Sequence, residues 1–487
     1  MRPFILLLIS LLFANRGLCG KCPDRPLLRE TIARLKSAKA APDSQLKVLL
    51  PYVSQLEACP QPRDSTFAFL LQRIGALYYL KNDVPGAVSY TQRAIRLLGE
   101  KCPAAAPPYL VKWYHFMVIF FDALHQKKEF LAAIDSTLSI ALRHDAVNFN
   151  VLFDHFQKTG YYYDIGDYDR CYKNALFNQS LIRKYSSGGD SVQLILGCLR
   201  HMYNALHQLG KYDQEEQLLK TSIDQFTAMK NEEGLGMFLN QLSLVYQQKH
   251  EYKDALDCLK KSYAFHKNIG YQLGCSEALN NSGYVYLWHL KDYPRALDYC
   301  RRALACLPEK RSPDSLAALE ALNDYDNIAC AQMAMGRLDS ALANFQRAFD
   351  QLQPGMDETA LLHSTQARGY EEKRADYIPN VIIHKGDVYY RLYQRTGRRE
   401  HLTEAIRVYK AADLFLERIK VDQAERLSQL VFRRNARALY EHALRAALAK
   451  GDANDAFYFF ERSRAILLND QLQQQASLDD ASLAGRA

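Results

Sequence analysis

Between residues 242 and 349 the apolar positions fall into one arrangement three times: LSLVYQQKHEYKDALDCLKKSYAF (242–265), SGYVYLWHLKDYPRALDYCRRALACLP (282–308) and IACAQMAMGRLDSALANFQRAF (328–349). Each opens with apolar residues spaced three and four apart, which is the period of one helix face. It breaks at a short polar turn (KHEY, KDYP or GRLD) and resumes as a second amphipathic helix. That second helix carries a small–large–small triplet: Ala255–Leu259–Ser262, Ala296–Cys300–Ala303 and Ala341–Phe345–Ala348. IGALYYLKNDVPGAVSYTQRAI (74–95) follows the same design with Gly75, Tyr78, Ala87 and Ala94, and weaker copies cover 113–142, 151–183 and 199–226. In the last of these Glu215 stands where the alanine is expected. Two antiparallel helices cross closely only where a small side chain lets the backbones approach, so the pattern predicts nested helix pairs. No strand-like alternation competes. Pro51, Pro103, Pro107, Pro308, Pro313 and Pro354, with the clusters SSGGD (186–190) and QPGMDET (353–359), are read as junctions. The expected fold class is all-α, an α-solenoid of stacked antiparallel helix pairs in which neighbours bury what one pair cannot.

The triplet, with Gly and Tyr in the preceding helix, resembles the tetratricopeptide repeat (TPR). Successive key alanines lie 41 (255 to 296) and 45 (296 to 341) residues apart. That exceeds the ~34 of the short form, so the helices should be longer by up to about two turns per repeat. From about residue 380 the pattern lengthens again, with triplets Ala405–Tyr409–Ala412 and Ala456–Phe460–Ser463. The combination YQRTG, YKAADLFLERI, ALYEHALRAAL and AFYFFERSRAILL resembles, over roughly 400–472, the repeat segment that precedes the peptidase domain of CHAT-domain proteins. The resemblance implies a caspase/separase-like partner domain whose His and Cys act together, the imidazole taking the thiol proton. The residues that follow, QQQASLDDASLAGRA (473–487), hold neither His nor Cys, so no catalytic residue carries over. The implied alternatives are a repeat scaffold acting alone and the repeat half of a split or truncated cysteine peptidase served by a separate peptidase domain.

The N-terminus changes the setting. Arg2 is followed by the apolar FILLLISLLFA (4–14) and then NRGLCGKC, the form of an export leader cleaved near Gly20. Its apolar core is well short of the roughly 20 residues of a membrane helix. Leu18 in front of Cys19 disfavours lipid attachment at that cysteine, and simple export to a periplasmic or extracellular space is expected. FMVIFFDAL (116–124) is too short to span and reads as a buried helix face. The expected organisation is thus a leader over 1–20, an N-terminal helical cap over 21–66, TPR-like repeats over 67–370, the long-helix segment over 371–472 and a polar tail over 473–487.

Export gives the cysteines meaning, because disulfides persist outside the cytosol. Cys22, Cys59 and Cys102 each precede proline (KCPDRP, ACPQPR, KCPAAAP), which places them in extended or turn backbone where they could pair. Cys171, Cys198, Cys258, Cys275, Cys300, Cys306 and Cys330 fall inside helical patterns and read as core thiols. The 487 residues carry 62 basic and 54 acidic side chains without a basic run, so nucleic acid is excluded as a partner.

Chemistry is absent from the motifs. There is no H-E-x-x-H, P-loop, G-x-S-x-G or G-x-G-x-x-G, and His144, His155, His201 and His207 lack carboxylates at ligand spacing. No catalytic residue, cofactor or metal is expected. The first helices do share an LN[QND] signature, in FLNQLSLVY, ALNNSGYVY and ALNDYDNIA. One helix stripe then holds Asn240, Leu244 and Gln247, then Asn280 and Tyr284, then Asn323 and Asp326. Carboxamides there can donate to and accept from an extended peptide, or else bridge neighbouring helices or meet solvent. YYYDIGDY (161–168) is the densest tyrosine run, and repeat packing accounts for most tyrosines. The expected function is an exported, non-enzymatic scaffold gripping a protein or peptide in a concave groove. A sensor ectodomain without its output module is the further alternative.

Overall fold

The computed structural model describes residues 22–37, 41–59, 64–101, 106–313, 315–363, 377–422 and 426–464. The leader, Cys19, Cys102, Pro103 and the polar tail lie outside these residues. Among the described residues every regular element is helical. The order is α1 (Arg25–Ser37), α2 (Pro42–Glu57), α3 (Ser65–Leu80), α4 (Val84–Lys101), α5 (Pro107–Ala123), α6 (Lys127–Arg143), α7 (Phe149–Asp164) and α8 (Tyr168–Tyr185). Then come α9 (Gly189–Gln208), α10 (Tyr212–Ala228), α11 (Glu232–Gln248), α12 (Tyr252–Asn268) and α13 (Gln272–Tyr284), the last continued by a π-helical turn, Val285–His289. The chain closes with α14 (Tyr293–Cys306), α15 (Leu316–Ala334), α16 (Leu338–Asp350), α17 (Glu358–His363), α18 (Tyr377–Thr396), α19 (Arg399–Asp422), α20 (Arg426–Lys450) and α21 (453–464). No helix among the described residues is long and apolar enough to cross a membrane.

The chain divides into two compact units. One comprises the residues up to Tyr161 together with Arg170–His201; the other comprises Tyr162–Asp169 and everything from Met202 onward. In each, sequential helices pack as pairs, α3 on α4 and α5 on α6 in the first, α11 on α12, α13 on α14, α15 on α16 and α18 on α19 in the second. The triplets explain why. All nine residues of Ala255–Leu259–Ser262, Ala296–Cys300–Ala303 and Ala341–Phe345–Ala348 are 0 % exposed, as are Ala405, Tyr409 and Ala412. Gly75 faces the Ala87 carbonyl so closely that an added Cβ would lie 3.0 Å from it, and at Gly386 a Cβ would meet the Tyr409 ring at 2.5 Å. Small residues therefore set the approach of the two helices. The turns between paired helices share a left-handed residue, such as His250 (φ 62°), Lys291 (φ 57°) and Gly336 (φ 76°), which ends one helix and aims the next back along it.

Two expectations shift, at Pro51 and at Phe460, and the exception at Glu215 finds its reason. Pro51 lies inside α2, not at a junction. Glu215, in the alanine position of its pair, is fully buried. It accepts from Gln241 Nε2 at 2.7 Å and meets His207 Nδ1 at 3.0 Å, so hydrogen bonds replace the close backbone approach. In α21 the buried stripe runs through Asp455 and Phe459, while Phe460 is 50 % exposed. Lys410 and Lys450 both reach Asp455, which fixes the rotation of that helix one position away from the expected triplet.

Candidate functional site, a polar seam along the first helices

In the second unit the first helices of successive pairs are α11, α13, α15, α18 and α20, and a side-chain polar contact recurs between each and the next, accompanied by Ser276 to Asp324 between α13 and α15 and by Arg391 to the Met333 carbonyl between α18 and α15. Asn281 Nδ2 donates to Asn240 Oδ1 at 3.0 Å, from α13 to α11. Asn327 Nδ2 donates to Asn280 Oδ1 at 2.9 Å, from α15 to α13. His384 Nδ1 on α18 lies 3.0 and 3.1 Å from the two Asp326 oxygens on α15. His442 Nδ1 on α20 lies 2.7 Å from Asp387 Oδ1 on α18. Each inner helix contributes two residues, one facing back (Asn281, Asn327, His384) and one facing forward (Asn280, Asp326, Asp387). The LN[QND] residues Asn240, Asn280 and Asn281 are thus stitches between helices, whereas in the third copy Asp326 and Asn327 take these places in the seam instead of Asn323 and Asp324, and toward the C-terminus amides give way to carboxylate–imidazole pairs.

This placement separates the residues singled out in the sequence. Asn280, Gln247 and Asp326 are buried, at 3, 5 and 6 % exposure. Asn240, Leu244 and Asn323 are half-buried. Tyr284 is exposed, its ring 6.3 Å from Trp288 and 5.9 Å from His289. Among the three Cys-Pro cysteines, Cys22 and Cys59 are joined in a disulfide with Cα atoms 5.3 Å apart.

Two groupings escaped the sequence reading. The first is Asp326, Cys330 and His384, whose ligand-type atoms all lie within 4.8 Å of one another. Burial opposes the charge on His384, but the Asp326 carboxylate beside it more than offsets this and holds its pKa well above the ordinary value. Burial pushes the Cys330 thiol up to about 11. The i, i+4 spacing of Asp326 and Cys330 was visible in the sequence, whereas His384 comes from another helix far along the chain.

The second grouping surrounds Asp387. A pocket of about 220 Å³ opens between α18 and α20, lined by Asp387, Tyr390, Arg391, Gln394, His442 and Arg445 with Tyr409 at its base. Asp387 is already engaged, since Tyr409 Oη donates to it at 2.6 Å and His442 faces it. Arg391, Gln394 and Arg445 at the rim are exposed. Beneath it a buried carboxylate ties the last pair together. Asp413 accepts from Tyr440 Oη at 2.5 Å, from Tyr458 Oη, and from Arg462 Nε at 3.0 Å. In the first unit a wider cleft of about 540 Å³ between α4, α5 and α6 is lined by the apolar Ile95, Met117, Phe121, Ala132 and Ala133 and by the polar Gln92, Arg96, Tyr114, Glu129 and Ser136.

No protein-family model matches the chain, and no curated protein matches it. Solved structures do. RapI in its apo form aligns over 82 % of this chain and 99 % of its own, with TM-score 0.49 and 13 % identity. A Signal Transduction ATPase with Numerous Domains (STAND) protein with a tetratricopeptide repeat sensor, from Pyrococcus horikoshii, aligns over 71 % of this chain with TM-score 0.43 and 14 % identity. The chain spans about half the length of that protein, 50 %. BtubC from P. vanneervenii aligns over 52 % of this chain and 94 % of its own, with TM-score 0.34 and 15 % identity. Its own helix pairs, buried triplets and left-handed turns make this chain an all-α helical-repeat protein of TPR-like architecture.

Proposed function

We propose that the chain is an exported, non-enzymatic scaffold that holds an extended, acidic segment of a protein partner across the first helices of its second unit. The observation that carries this is the pocket between α18 and α20. Its inner carboxylate, Asp387, is occupied by Tyr409 and His442, so the exposed rim presents the Arg445 guanidinium, the Gln394 amide and Arg391, one nitrogen of which donates to the Met333 carbonyl at 3.4 Å. Guanidinium groups supply donors in a fixed fork that suits carboxylates, and the amide adds a donor and an acceptor for peptide backbone. Exposed Tyr284 and half-buried Asn240, Leu244 and Asn323 on the earlier first helices are proposed to extend the same contact. The leader-like N-terminus and the Cys22–Cys59 disulfide support export, since such bonds persist in oxidising compartments.

Cys330, His384 and Asp326 are residue types found in cysteine peptidases, but a nucleophilic cysteine needs an accessible thiolate, and this thiol is 1 % exposed with its pKa raised. A second reading rests on the likeness of 400–472 to the repeats of CHAT-domain proteins. The motifs quoted for it supply Asp413, Tyr440, Tyr458 and Arg462, one network that would hold a rigid last pair against a separate peptidase chain.

The test is an array of acidic, neutral and basic peptides probed with the full chain and with Arg391→Ala/Arg445→Ala. Preferential retention of acidic peptides, lost in the double variant at unchanged helicity, is expected. Equal retention across charge classes, or by both proteins, would overturn the reading.

A further inference from the structure

We propose that Asp326, Cys330 and His384 bind one divalent metal ion of borderline softness, with zinc the best fit. Asp326 and Cys330 are one turn apart on α15 and so share a face, and His384 meets them from α18. Their ligand atoms lie within 4.8 Å of one another. A tetrahedral zinc with bonds of roughly 2.0–2.3 Å holds its ligands roughly 3.3–3.8 Å apart, so closing the group asks for a movement on the order of 1 Å. His384 can supply it, because 20 % of its side chain is exposed while Asp326 is held in the helix wall.

The donor set argues for the class of ion. Thiolate sulfur and imidazole nitrogen favour zinc over magnesium or calcium, and one carboxylate oxygen completes three protein ligands with a fourth place for water. Among the described residues this is the one such group. The surroundings suit it. The π-helical turn Val285–His289 carries Trp288, whose ring lies 5.8 Å from that of His384 and forms an apolar wall on that side. Such walls limit solvent at metal centres, and π turns recur at functional sites. Asp324, also buried on α15, is not drawn in, because it accepts from Ser276 instead. On binding, the ion replaces the proton on Cys330 Sγ and takes the place of the His384–Asp326 hydrogen bond. The thiol proton, with the second imidazole proton where present, passes to solvent, and no other bond changes. This site is independent of the peptide reading.

The experiment uses the full chain, stripped with chelator and titrated with cobalt(II). One equivalent should bind and give a thiolate-to-cobalt charge-transfer band that one equivalent of zinc bleaches. Cys330→Ser should abolish the band, and His384→Gln should weaken binding by about 100-fold, the upper range for loss of even a supporting group. Cys306→Ser, at the half-exposed thiol ending α14, should leave band and stoichiometry unchanged. If the site variants do not fold, the native chain still decides, because a ligand bound only by the folded state raises Tm with its concentration. Absence of both the cobalt band and a zinc-dependent rise in Tm in the native chain overturns the proposal. A full band in folded Cys330→Ser does so too.

Discussion

The two units obey one rule of approach and are fastened by different means. In the first, the fastening is apolar and covalent: Leu49, Leu56, Phe67 and Trp113 are buried, the Phe69 ring meets Tyr109 and Trp113 edge-on at 4.7 and 5.4 Å, and Cys22–Cys59 ties the start of the chain to the end of α2. Burial lowers the pKa of His155 and His201 in this unit's core to about 4, and the one buried carboxylate among its described residues, Asp154, faces His115 Nδ1 at 2.8 Å. In the second unit buried carboxylates are several, among them Glu215, Asp326, Glu358, Asp413 and Asp455. Glu358 takes Lys385 and Arg407 at 2.7 Å each, and Asp413 takes two phenols and a guanidinium. Apolar packing spreads its energy over many contacts, whereas a closed network concentrates sensitivity in the one group every partner needs. The difference should appear when single groups are removed.

The largest effect is expected at Asp413. Asp413→Ala leaves Arg462 and two tyrosine hydroxyls facing an empty centre, and breaking such a buried charged group costs about 3–5 kcal/mol. Denaturant unfolding should show the loss, and hydrogen exchange should place it in α19–α21. A change within about 1 kcal/mol would show the network to be an ornament of packing. The matching cut in the first unit is its disulfide. A closure across a separation of 37 residues restrains the unfolded chain by about 3–4 kcal/mol, so Cys22→Ser/Cys59→Ser should lower the stability of that unit by up to this amount. Exchange in the second unit should not change.

Acid sharpens the contrast next. His155 and His201 have folded pKa values of about 4 against an ordinary 6.5, so the unfolded chain takes up protons first as pH falls. Stability from these groups is therefore constant above pH 6.5 and is lost progressively between pH 6.5 and 4. At pH 5 this is about 2 kcal/mol per imidazole at most. Lys158 acts on His155 in the same direction, whereas Asp135 opposes it. Asp154 also works against the loss, because burial raises its pKa and the folded carboxyl gains its proton early. In the second unit burial also lowers the pKa of His266 and His289, so this unit loses stability in the same direction as pH falls. Each unit holds one of the two tryptophans, Trp113 and Trp288. In Trp288→Phe the remaining emission should report weaker urea resistance at pH 5 than at pH 7. In Trp113→Phe the midpoint should fall less, because neither His266 nor His289 is shifted as far as His155 and His201. Equal falls would dissolve the distinction.

What the sequence disclosed follows from the same physics. Helix pairing was legible because it rests on local spacing: Gly75, Ala87, Ala296 and Tyr409 are recognisable by size at fixed intervals, and all prove fully or nearly fully buried. Partners in polar contacts were not legible, because Asp326 meets His384, and Asp387 meets His442, across separations of 58 and 55 residues that no local period marks. The motif residues Asp413, Tyr440, Tyr458 and Arg462 were visible as a resemblance, but their convergence on one carboxylate needs the fold. Phe460 misled because two adjacent phenylalanines satisfy the triplet almost equally, and Asp455 with its lysines decides the rotation.

The smallest effect tests whether the amide part of the seam fastens anything. Asn280 and Asn327 are 3 and 4 % exposed and share one hydrogen bond, so truncating either strands a buried partner. Each single change to alanine should cost about 1–3 kcal/mol, much of it the penalty on the group left behind. The double change removes both needs at once, so it should cost less than the two singles together, with a coupling of about 1 kcal/mol. Asn240 and Asn281, half-buried, have water as a substitute and should couple less, by a few tenths of a kcal/mol. Strictly additive behaviour at Asn280 and Asn327 would mean that these amides do not act on each other. The seam would then begin only at Asp326, where charge takes over from amide.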